Sequence, residues 1–182
     1  MKLTPSDMRK LLLLLFVATT FMIQGCEGPP GPQGEPGVNI VGDAYEVEVS
    51  FSSGNDYIEV FDFDDFGGAL FEGDAVLIYM YEASPVDSEF YAWRLLPQTF
   101  YLQEGTLVYN FDYTPNDFSI FLDNSPINFN DLVPHWTDNI LFRVVVVPAD
   151  LLSASGRMDF SNYDATMEYL DIEESDFVKI QK

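Results

Sequence analysis

From residue 45 onward the chain alternates. Tyr45, Val47, Val49 and Phe51 fall on one side of an extended backbone, and Glu46, Glu48 and Ser50 fall on the other. That period of two predicts a strand with one face in a core and one in water. After the turn residues Ser52 to Asp56, a second alternating run covers Tyr57 to Phe63. Further strands are predicted at Ala75 to Tyr81, Phe90 to Leu96, Leu107 to Tyr113, Phe118 to Leu122 and Asp176 to Ile180. Ile140 to Val147, apolar on both faces apart from Arg143, predicts the most buried strand.

Two stretches break the period. Pro148 followed by an acidic first turn predicts one or two helical turns over 148–155. Tyr163, Met167 and Leu170 stand at helical spacing behind the cap candidates Ser161 and Asn162. Between strands, Asp123 to Asn139 is long, turn-rich and a candidate functional loop. The fold class expected is therefore mainly all-β: an antiparallel sandwich or barrel of about eight strands, with one or two short helices near the C-terminus.

The first forty residues follow another logic. Lys2, Arg9 and Lys10 precede an apolar run from Leu11 to Met22, the layout of a secretory signal and too short for a comfortable membrane span. Ile23-Gln24-Gly25-Cys26 then resembles the lipobox of bacterial lipoproteins, with an aliphatic residue three before the cysteine and a small residue just before it. Gln24 departs from the small residue usual at its position. The resemblance implies cleavage before Cys26, a diacylglycerol on its sulfur and a fatty acyl chain such as palmitate on its new amino group. Cys26 is the only cysteine of the chain, so an internal disulfide has no partner and lipidation accounts for the thiol. Two or more acyl chains anchor stably.

Glycine recurs at 28, 31, 34 and 37, interleaved with proline, in the register of a collagen triple helix. So short a stub favours a polyproline II spacer, reaching about 3.1 Å per residue. A trimer seed is the less favoured alternative. Lipobox, collagen-like stub and β-rich domain in this order resemble the small, mostly uncharacterised lipoproteins of Bacteroidota. That resemblance implies the cell envelope, at the outer membrane, with the leaflet undetermined. The expected organisation is a signal peptide over 1–25, a lipidated cysteine and extended tether over 26–39, and the β-sandwich over 40–182.

Composition narrows the partners. The formal net charge is −22, and removing residues 1–25 takes away three cations against one acid, Asp7. Such a surface repels phosphate backbones and excludes nucleic acid as a natural partner; cations and basic proteins suit it. Asp62 to Gly73 invites a calcium reading. As an EF-hand loop it fails, with Phe66 at position five and Gly73 where a bidentate glutamate belongs. A sandwich-loop site needs fewer convergent oxygens, so Asp62, Asp64, Asp65 and Glu72 stand as candidate ligands for Ca²⁺, against the ordinary role of such residues in turns. No other cofactor is expected.

His135 is the only histidine, with no nucleophile context near it and no second imidazole for zinc. Beside Trp136 in the long loop it reads as an interface residue. His135, Trp136 and Tyr163 are the candidate binding surface, with Tyr101 and Trp93 as further aromatics. Arg94 and Arg143, scarce cations, are expected to pair with carboxylates at the sheet surface. The leading expectation is a lipid-anchored, non-catalytic accessory or interaction subunit that engages an envelope protein. The rival is a ligand-binding module for glycan or Ca²⁺ displayed at the cell surface.

Overall fold

The computed structural model describes residues 43–83, 89–123, 127–154, 156 and 158–180, with two short helical pieces at 5–6 and 9–10. The apolar leader, Cys26 and the Gly-X-Y stub lie outside the described residues. The chain divides into two units, Met1–Val38 and Asn39–Lys182, and the fold below is that of the second. No described helix is long and apolar enough to cross a membrane.

The order is β1 (Asp43–Val49), β2 (Ile58–Asp62), β3 (Ala75–Ala83), β4 (Tyr91–Leu95), β5 (Gln98–Tyr101), β6 (Thr106–Tyr113), β7 (Asp117–Asp123), β8 (Ile140–Val147), α1 (Ala149–Ala154), α2 (Tyr163–Leu170) and β9 (Val178–Ile180). One sheet runs β4-β3-β8-β1-β9 and the other β2-β7-β6-β5. The result is a two-sheet sandwich, not a closed barrel. Pairing is antiparallel except where β9 joins β1 in parallel, Tyr45 opposite Val178, which makes the five-stranded sheet mixed.

The alternation in the sequence is the alternation in space. Val47, Val49, Ile78, Met80, Phe142 and Val144 face Phe61, Leu107, Tyr109, Phe118 and Ile120 across the sandwich. Phe61 and Phe118 stack at 4.9 Å, and Phe66 meets Phe118 edge-on at 5.2 Å. The five-stranded sheet is also covered on its outer face. There Ala44, Tyr79, Val145 and Val147 form a second apolar cluster with Met167, Leu170, Ile172 and Phe177 of the C-terminal segment.

That cover explains why β8 is apolar on both faces. α2 starts where expected: the Asn162 side chain accepts from the Ala165 N–H at 3.2 Å, and Asp171 closes the helix in the left-handed region at φ 55°. The strand that the alternation missed is β5, whose Gln98–Tyr101 run is short and polar at its start. The long loop is built around two 3-10 turns, Phe129–Asp131 and Pro134–Trp136. Phe129, Leu132 and Trp136 pack against the inter-sheet core, pinning the loop to the sandwich.

Candidate functional site

The candidate calcium ligands do local work. Asp62 caps the 3-10 turn Phe63–Phe66, accepting from the Asp64 N–H at 2.9 Å. Asp64 and Asp65 are exposed in its first turn, where carboxylates complement unpaired N–H groups. Glu72 instead lines a cavity of about 460 Å³ with Asp43, Asp74 and Asp150. Asp74 accepts from the backbone N–H groups of Phe71 and Ala149, each at 3.0 Å. Burial, and then the neighbouring Asp74, push the Asp43 carboxyl above its usual range. The four acids read from the sequence are thus split between a cap and a cavity wall. Among the described residues, no three of His, Cys, Asp and Glu stand together so as to hold a metal ion.

His135 and Trp136 share a turn and have different roles. His135 is exposed, its Nε2 3.9 Å from Oε1 of the buried Glu82. Trp136 is half-buried against Phe100, centroids 4.9 Å apart, and its carbonyl accepts from the Tyr109 hydroxyl at 2.6 Å. Burial first, then Glu82, drive the Tyr109 hydroxyl far above the ordinary tyrosine range, so it stays a neutral donor. Trp136 is therefore largely a packing residue, and His135 is the solvent-facing member of the pair.

Tyr163 leads to the most connected polar group described. Arg143 on β8 is only 4% exposed. Its Nε and Nη2 both donate to Oε2 of Glu46, at 3.1 and 3.0 Å, and other N–H groups reach the Tyr163 hydroxyl and Glu174. Lys179 of β9 takes the other oxygen of Glu46 at 3.0 Å. The guanidinium lies 4.0 Å from the Phe177 ring centroid and 4.3 Å from that of Trp93. Burial opposes its charge; the hydrogen bonds it donates to Glu174, Tyr163 and Glu46 outweigh that and hold it firmly protonated. Burial likewise works against the Glu46 carboxylate, but Lys179 and Arg143 hold it below its usual range.

Arg143 therefore pairs with carboxylates as expected, though beneath the C-terminal segment and not at an open surface. Arg94 differs: it donates to the Ala83 carbonyl at 2.9 Å and to Gln98 Oε1 at 3.5 Å, tying β4 to the start of β5.

From this buried cation a column of rings runs out to the sheet edge. Trp93 stacks with Tyr163 at 5.7 Å and packs on Tyr81 at 4.8 Å. Tyr81 stacks with Tyr91 at 5.2 Å and an interplanar angle of 24°. The cause is strand register: Tyr81 lies opposite Trp93 and Ala83 opposite Tyr91, so side chains two apart share the outer face. Tyr81 is 40% and Tyr91 56% exposed, and Phe90 beside them 66%. The alternation of Tyr79, Tyr81 with Tyr91, Trp93 was the signal for this strip; the pairing that joins the two strands was not in it. Tyr101, on β5 in the other sheet, is 86% exposed.

No family model, no curated protein and no solved structure matches the chain.

Proposed function

We propose that this chain is a lipid-anchored envelope protein whose sandwich is a non-catalytic interaction subunit, held off the membrane on a short extended tether and engaging another envelope protein. The observation that carries the interaction reading is the set of exposed rings Phe71, Tyr81, Phe90, Tyr91, Tyr101 and Tyr113 on a chain of net charge −22. Large amphipathic aromatics supply contact area at low entropic cost and concentrate at interface cores, while acidic surroundings select a basic partner. The anchoring half of the reading is supported by the leader, the Gly25-Cys26 junction and the single thiol.

The two halves are tested separately. In the native host, wild type should partition with membranes and take up labelled palmitate, and Cys26→Ser should do neither. A variant still membrane-bound and labelled would remove the anchor. For the interaction, the tagged lipoprotein is crosslinked in its own membranes and recovered for mass spectrometry. One envelope protein in fixed ratio is expected; recovery of background alone would sink the subunit reading.

A further inference from the structure

The ring column has two ends, and the inner one is engaged by a guanidinium. Arg143 sits 4.3 Å from Trp93, with Phe177 at 4.0 Å, so the electron-rich faces here are already used to hold an arginine. The outer end repeats the same surface in solvent. Tyr81 and Tyr91 are stacked and partly exposed, and among the described residues no cation lies over either ring. Their positions are set from beneath: Tyr81 rests on Trp93, and Trp93 is clamped by Tyr163 and Arg143. A ligand that stacks there therefore meets rings already ordered, which lowers the entropic cost of binding.

Charge selects among ligands that stack. The chain carrying this strip is acidic, with few cations to offset its carboxylates. On a chain of net charge −22, a cationic plane gains from the ring face and from the field together. Lysine would gain the field but loses more hydration; a guanidinium is planar and weakly hydrated, and stacks.

We propose that Tyr81 and Tyr91, at the β3–β4 edge of the five-stranded sheet, bind an arginine side chain of a basic segment in the partner. This rests on the interaction-subunit reading and names the contact and its chemistry.

The test uses the full mature lipoprotein in detergent micelles and three labelled capped peptides of equal length, Arg-Gly, Lys-Gly and Gln-Gly repeats, read by fluorescence anisotropy at constant ionic strength. The Arg-Gly peptide should bind best. The pair Tyr81→Leu with Tyr91→Leu should weaken it about tenfold, while Tyr81→Phe with Tyr91→Phe keeps it, because the ring face and not the hydroxyl holds the cation. Neither pair alters the charge at neutral pH, so unspecific attraction to carboxylates is unaffected by both. Arg-Gly binding that survives the leucine pair overturns the site. So does absence of Arg-Gly binding to wild type, or binding of the neutral Gln-Gly peptide as tight as that of Arg-Gly. Thermal melts confirm that each variant is folded; should the leucine pair unfold, Tyr91→Leu alone carries the same expectation at smaller size.

Crosslinking from membranes separates the two levels. A partner recovered equally by wild type and the folded leucine variant keeps the subunit and removes this site. Arginine binding lost in the leucine variant, with no partner recovered from membranes, keeps the site and removes the subunit.

Discussion

Arg143 holds two carboxylates, a phenol and two flanking rings in one buried place. Its replacement by leucine removes both N–H groups from Glu46 Oε2 and leaves the buried carboxylate with the solvent-facing Lys179, and an under-compensated buried charge is costly. Arg143→Leu is expected to lose about 3–5 kcal/mol in urea unfolding. Arg143→Lys should be nearly as poor, since an ammonium neither forks to Glu46 nor stacks between Trp93 and Phe177. Glu46 gives this network a pH signature. Its folded carboxyl titrates below the ordinary value of 4.5, so the folded state binds its proton less readily than the unfolded chain. The stability it contributes is present above about 4.5 and is lost as pH falls through the depressed folded value. Unfolding free energy measured from pH 7 downward should drop through that window, with a shallower drop in Glu46→Gln. The two sequence positions were legible as a strand cation and an alternating acid. That they meet was not, because register between β1 and β8 pairs Glu46 with Arg143 across 97 residues of sequence.

Among elements, α2 and the segment behind it decide what the outer sheet face is. Alternation read Glu46 and Glu48 as solvated together. Glu48 is exposed, whereas Glu46 is 7% exposed because β9 and the residues before it cover that part of the face. A strand's pattern shows which side is polar, and not what lies on that side. α2 itself was readable from Asn162 and the spacing of Met167 and Leu170, both buried as that spacing requires. Asn162→Ala should cost about 1 kcal/mol through loss of the cap, seen as a lower denaturation midpoint with an unchanged slope. β5 leaves no signal in the sequence because four residues with a polar start carry too little period to stand out. The candidate site was partly legible for a similar reason. Residue type marks Tyr163, but the ring column it belongs to depends on β3–β4 pairing, and Trp136, prominent by its loop position, is spent largely on packing.

For the whole molecule, net charge sets the terms. At −22 the folded surface repels itself, and screening should relieve this. The melting temperature is expected to rise as sodium chloride goes from low to physiological concentration, read by differential scanning fluorimetry. The same charge favours basic partners over anionic ones, in keeping with an arginine at the ring column. The exposed rings then stand out as apolar contacts in an otherwise repulsive surface, which limits the faces by which any protein docks.

One feature of the topology bears on how such a chain is made. β1, the first strand of the domain, lies between β8 and β9, the last two. Its partners are Ile140–Val146 and Val178–Ile180. In a chain exported N-terminus first, β1 would wait for its two partners until nearly everything else had crossed. A partial chain that ends before Ile140 lacks both neighbours of β1, and the five-stranded sheet is then without its centre. The completing step waits for the final residues. Contacts this remote in sequence also slow closure once export ends.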